Sequence, residues 1–195
     1  MIPLGPKEQS VTINSRAKGC RGERLVIEQI RPWWAQLEPG VEFARTPGSG
    51  GWQGRGARGQ SLRGEMRMSG DLMTTSHRFP FSVEVKNNGS WSMLMLERGK
   101  ASPVWAWWRQ CQAAADEGGQ VPMLWFRHLR SPWRVMLPYG YATRVPVKPP
   151  LLVWSERDLL GVDTGALLPI LFDAAVVLAV QPVRFALARR RSNAA

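Results

Sequence analysis

Cysteine and histidine are scarce in this chain, with two of each among 195 residues. Cys20 and Cys111 are too few for a disulfide scaffold, and no CxxC or His/Cys spacing suggests a zinc site. His77 and His128 belong to no Ser-His-Asp arrangement, and His77 falls in a turn. Acidic residues are also under-represented, 15 against 26 Lys plus Arg, which leaves a formal charge of +11. An excess of that size points to a polyanionic partner, nucleic acid before an anionic membrane. No apolar run is long enough to favour the membrane. The most apolar stretch, 166–188, carries Asp173, Gln181, Pro182 and Arg184, whereas a spanning helix needs ~20 residues with few or no charges. The N-terminal residues lack the basic-then-apolar pattern of a signal peptide, so a cytoplasmic protein is expected. Internal repeats and a P-loop are missing. The glycine-rich stretch around Gly54-Arg55-Gly56 is not followed by a helix with a Lys-Ser/Thr pair.

What is present is a globular α/β pattern. Hydrophobic residues at 44% with 21% charged exclude a wholly disordered chain. Val26, Ile30, Trp33 and Leu37 recur at helical spacing, with Asn14 or Ser15 as cap, Pro32 as a kink or stop, and Pro39-Gly40 as terminator. A short strand is expected at Val41–Arg45. The stretch Thr46 to Ser69 is rich in glycine and arginine and poor in core residues, so it reads as a long basic loop (46–69). Strands are expected at Asp71–Thr74 and at Phe81–Lys86. In the second, Phe81, Val83 and Val85 face one way and Ser82, Glu84 and Lys86 the other. Ser102-Pro103 opens a second helix with the stripe Val104, Trp108, Cys111 and Ala115, closed by Gly118-Gly119. Val121–Arg127 and Trp133–Leu137 read as two further strands. Beyond Tyr139 the pattern is weaker. It comprises an extended Pro146–Pro150, a short helix at Ser155–Leu160, apolar segments at Leu167–Phe172 and Ala175–Val180 that fit helix or strand, and a basic tail from Arg189.

The chemistry centres on Asp71, Glu84 and Lys86. Glu84 and Lys86 share one strand face, separated by ~6.5–7 Å of rise. An antiparallel pairing through the His77-Arg78 turn is expected to bring Asp71 beside Glu84. Two carboxylates at a sheet end suit a hard divalent cation, and an adjacent lysine can orient water or offset phosphate charge. Glu23 continues the buried stripe of the first helix, where a carboxylate is costly unless paired or ligating. Of the ten tryptophans, Trp107, Trp108, Trp125 and Trp133 fall in core elements. Trp52 and Trp91 fall in loops and are candidates to contact a base or a partner subunit.

Four segments in order, Lys18-Gly19-Cys20-Arg21-Gly22-Glu23-Arg24, Arg45-Thr46-Pro47-Gly48-Ser49-Gly50, Gly70-Asp71 and Val83-Glu84-Val85-Lys86, resemble the PD-(D/E)xK nuclease superfamily. Their order is most similar to the archaeal-type and phage Holliday junction resolvases, over about Ser15 to Arg127. The resemblance implies a restriction-endonuclease-like core, with a mixed central sheet flanked by helices, over 1–140. A C-terminal extension, 141–195, is expected to pack on the same domain. It implies Mg²⁺, with Mn²⁺ as a substitute, held by Asp71, Glu84 and the Val85 carbonyl, with Glu23 completing the shell directly or through water. Lys86 is then the catalytic lysine. Either Gln110 or Gln112, with Gln110 favoured, supports the site. Arg24, Arg45 and Ser49 match residues near the DNA strand. Arg55, Arg58, Arg63 and Arg67 lie in the basic loop and are read as a phosphate clamp. Gly70 stands where the family name has proline. The implied activity is metal-dependent endonucleolytic hydrolysis of branched DNA by a homodimer, in recombination or repair, in the host cytoplasm if the chain is viral. The alternatives are a nuclease of the same superfamily acting on flaps, ends or duplex, and a basic DNA-binding protein without catalysis.

Overall fold

Apolar positions at helical spacing place Val26, Ile27, Ile30, Trp33 and Trp34 on one buried face of α1 (Ser15–Ala35). The computed structural model describes residues 15–47, 66–97, 102–138, 141, 152–153 and 169–186. Pro32 lies inside α1 and does not end it. The carbonyl it leaves without a donor is that of Glu28, and both residues are exposed, so that carbonyl is open to solvent.

Among the described residues the strands form two sheets. The smaller is antiparallel in the order β1 (Phe43–Arg45), β3 (Leu72–Thr74), β2 (Arg67–Ser69). The larger is mixed, running β4 (Phe81–Asn87), β5 (Val121–Arg127), β6 (Arg134–Pro138), β8 (Pro169–Asp173), β7 (Leu152–Val153). β4 and β5 are parallel, and the other pairings are antiparallel. Between β4 and β5 the chain passes through α2 (Met93–Glu97) and α3 (Pro103–Glu117), a helical crossover of the kind a parallel pair requires. Ser102 caps α3 and Pro103 begins it.

Period-2 alternation distributes the core between the sheet's two faces. Val83, Val85, Met123, Trp125, Val135, Leu137, Ile170 and Phe172 lie in one core cluster with Val26, Ile30 and Trp33 of α1. Leu124, Phe126, Met136 and Leu171 meet Val104, Trp105, Trp108 and Cys111 of α3. The face of β4 carrying Ser82 and Glu84 is therefore covered by α3, and both side chains are buried.

The C-terminal residues complete this body. β8 pairs with β6 over five positions, and α4 (Ala174–Leu178) is capped by the Asp173 carboxylate. Trp33 Nε1–H donates to the Val180 carbonyl at 2.7 Å. Phe185 stacks edge-on against Trp33 and Phe81.

Three expectations are corrected. Residues 67–69 are a strand and not loop, because Met68 pairs with Met73 and Ser69 is buried. Asp71 does not lie on a strand hairpinned to β4; its strand belongs to the other sheet. Trp91 is buried against Phe126, with ring centroids 4.9 Å apart, so it presents no face to a base or partner. Ser49, Trp52, Arg55, Arg58, Arg63, Asn14, Pro146–Pro150, Ser155–Leu160 and the tail from Arg189 lie outside the described residues.

Candidate active site

Gly70 places the first acidic residue. Its φ is +73°, and a Cβ there would stand 2.3 Å from the Val83 carbonyl oxygen, so only glycine permits the approach. The approach is a single parallel bridge, Gly70 to Val83. It lets the Asp71 N–H donate to the Val83 carbonyl at 2.7 Å. The Val85 N–H in turn donates to Asp71 Oδ2 at 2.8 Å. Thr46 secures the same turn: its N–H donates to the Asp71 carbonyl at 2.9 Å and its hydroxyl to the Gly70 carbonyl at 2.8 Å. On the other side, Gln120 Nε2–H donates to Ser69 Oγ at 2.9 Å and to the Phe81 carbonyl at 3.2 Å, tying β2 to the start of β4.

Glu84 lies under α3, only 6% exposed. Its Oε1 accepts from Gln110 Nε2 at 2.8 Å and forms an ion pair with Lys86 Nζ. The structure thus brings Gln110 to the carboxylate; no bond from Gln112 to it is present among the described residues. Burial chiefly, and then the charge of Glu84, push the Asp71 carboxyl up to about 7. The charge of Glu23 adds to this, while the Val85 N–H and Lys86 act the other way.

This donor set fits a divalent cation. The charge of Glu84 adds to the cost of ionising the buried Asp71 carboxyl, and a cation beside it removes that cost. The N–H and C=O of one strand residue leave the same edge, so the Val85 carbonyl projects on the side where Asp71 sits. Among the described residues, no third His, Cys, Asp or Glu joins the pair at ligand distance. Glu23 is buried on α1 and ion-paired with Arg45, whose Nη2–H also donates to Cys20 Sγ at 2.9 Å. The bond to Glu23 holds the Arg45 guanidinium above its ordinary value.

The remaining candidates are dispersed. Arg24 is exposed on α1. Arg67 is not a free loop arginine, since its guanidinium donates to the Ser76 carbonyl at 2.7 Å and to that of Phe79. Sequence pattern gave no role to Ser69, Gln120, Arg21 or Arg127. Gln120 sits in a connection with no periodicity. Arg127 is marked only by its register opposite Asn87, the residue after Lys86.

The family model described as "Phage putative PDDEXK endonuclease" matches residues 14–152. "Protein D14" of Escherichia phage T5 is 29% identical over 129 residues, covering 65% of this chain and 72% of that protein. No solved structure matches the chain.

Proposed function

The chain belongs to the phage PD-(D/E)xK endonuclease family, and from that premise we propose that it is a Mg²⁺-dependent structure-specific endodeoxyribonuclease, a Holliday junction resolvase that cuts branched DNA as a homodimer. One observation carries the catalytic part. Asp71 is locked onto alternate residues of β4, beside a buried Glu84 that contacts both Lys86 and Gln110. The order of the four motifs supports the junction substrate, and the need for paired cuts on a four-way junction supports the dimer.

Asp71, Glu84 and the Val85 carbonyl would hold the cation, and Glu23 would reach it through water. Bound there, a divalent cation supplies Lewis-acid stabilisation of the charge on the phosphate. The Val85 N–H fixes the direction of the Asp71 carboxylate. Gln110 occupies one side of Glu84 and so sets the orientation of its free lone pairs. Lys86 orients the attacking water and offsets phosphate charge as the P–O bond to the leaving strand breaks. The Glu23–Arg45 pair keeps Arg45 pointed at the site, where it meets a phosphate. The host cytoplasm is the compartment in which such a phage enzyme meets replicating DNA.

The test is cleavage of a labelled four-way junction and a matched linear duplex, with Mg²⁺ or EDTA, by the wild type and Asp71→Asn. Symmetric cuts confined to the junction, lost with EDTA and with the substitution, are the expected result. Cuts on linear DNA as well move the protein to a broader nuclease of the same family. Tight binding without any cleavage sinks the catalytic assignment.

A further inference from the structure

We propose that Arg21 and Arg127 together grip an internal phosphate of the DNA strand, flanking the reacting one, at the carboxyl end of β4. The inference rests on the nuclease reading above and adds a binding position to it.

Three contacts assemble the pair. Arg127 ends β5 in register with Asn87, and its Nε–H donates to Asn87 Oδ1 at 3.2 Å. The backbone of α1 meets the same residue, for a Cβ on Gly22 would stand 3.1 Å from Asn87 Cβ. That contact brings Arg21, the preceding residue, to the same strand end. Trp133 then fixes the second guanidinium, whose carbon lies 4.5 Å from the centre of the indole. A stacked guanidinium keeps its outer N–H groups free for a planar, two-pronged grip on an oxyanion.

Charge supplies the reason for a ligand. Arg45 and Arg134 each already have a carboxylate partner, Glu23 and Asp173. Among the described residues, Arg21 and Arg127 have no such partner. Burial, and after it the charge of Arg21, holds the Arg127 guanidinium below its ordinary value. Two cations held together without a counter-charge are costly, and an anion between them removes the cost. The position suits a strand entering the active site. Lys86 immediately precedes Asn87 on β4, and β5 lies about 4.8 Å away. Ligands of open α/β sheets sit beyond the carboxyl ends of parallel strands, and β4 and β5 are the parallel pair.

The experiment measures binding apart from chemistry. The full chain carrying Asp71→Asn is titrated in EDTA against fluorescein-labelled four-way junction and linear duplex, by anisotropy, over a range of NaCl. Arg21→Glu and Arg127→Gln are added singly. Arg184→Glu is the control: Arg184 is exposed beside Phe185, which packs on Phe81 at the far end of β4. The expected result is about tenfold weaker binding for each test variant, with the slope of log K on log salt reduced by about 0.9, one phosphate's worth. Arg184→Glu stays near the parent. Arg21→Glu places a carboxylate beside Arg127, so its melting temperature does not fall. Equal weakening by Arg21→Glu and Arg184→Glu, or an unchanged slope for Arg127→Gln, overturns the proposal. So does a requirement for a 5′-phosphate, which would make the pair an end pocket. If the Asp71→Asn parent binds no DNA, the nuclease reading fails; if it binds and the variants match it, only this inference fails.

Discussion

The Val85 N–H donates to Asp71 Oδ2 while Asp71 donates its own N–H to Val83, so one acidic residue spans two alternate positions of β4. Glu84 stands between those positions in sequence. One backbone bond and one bond from the Val85 N–H to the side chain thus fix Asp71 against β4, while Gln110 and Lys86 hold the Glu84 carboxylate.

Removing either carboxylate therefore separates binding from chemistry. Asp71→Asn and Glu84→Gln are each expected to lower junction cleavage by about a hundredfold or more, the scale for loss of one electrostatic group at a reacting centre. DNA affinity in EDTA should remain within a few-fold. Single-turnover cleavage and anisotropy on the same preparations check this, and a comparable loss of binding would contradict the assigned roles.

The elevated Asp71 carboxyl makes metal-free stability depend on pH. The group binds its proton up to about pH 7 in the folded state, against 3.8 for an unperturbed aspartate. Between those values the folded chain holds a proton that the unfolded chain has lost, so stability falls as pH rises through that window. Melting temperature in EDTA should decline from about pH 4 to about pH 7. Asp71→Asn should flatten the decline and raise stability at neutral pH, and Mg²⁺ should restore the wild type there.

Gly70→Ala tests the bridge that positions Asp71. Left-handed φ costs a residue with a Cβ about 1–2 kcal/mol, and the contact with the Val83 carbonyl adds to it. Urea denaturation should show a loss of about 2 kcal/mol or more, with cleavage lost even where the fold persists. Proline, the residue of the family's name, requires φ near −65° and should be worse at this position.

Gln110 and Gln112 are neighbours on α3 that differ in what they reach. Gln110→Ala should reduce cleavage by about 10–100-fold, the scale for a residue that orients a ligand. Gln112→Ala should leave cleavage within a few-fold. Equal effects from the two would mean that the hydrogen bond to Glu84 does not matter.

Much of the fold was legible because it is written in neighbours along the chain. The stripe Val26, Ile30 and Trp33, the alternation of β4 and the Ser102-Pro103 start each follow from a local period or cap, and the structure contains all three, while Leu37, the expected last member of the stripe, falls beyond the end of α1 at Ala35. Strand β2 was hidden because its three residues adjoin a glycine-rich stretch and pair only with residues beyond Gly70. Trp91 looked exposed because its surroundings are turn residues, yet Phe126, far along the chain, covers it. Arg67 looked like one more loop cation, while the carbonyls of Ser76 and Phe79 engage it.

The sequence by itself singled out the residues proposed for the chemistry. Asp71, Glu84 and Lys86 stand in a recognisable order, with Glu23 on a helical face that buries it. Tertiary structure alone decided how they meet. Asp71 reaches β4 through a parallel bridge at a left-handed glycine and not through a hairpin. Glu23 turns to Arg45, and Gln110 is the glutamine at Glu84. The reason is physical. Period and capping depend on residues a few positions apart, whereas a single bridge between short strands depends on how closely two distant backbones can approach. At Gly70 that approach rests on the absence of one carbon atom.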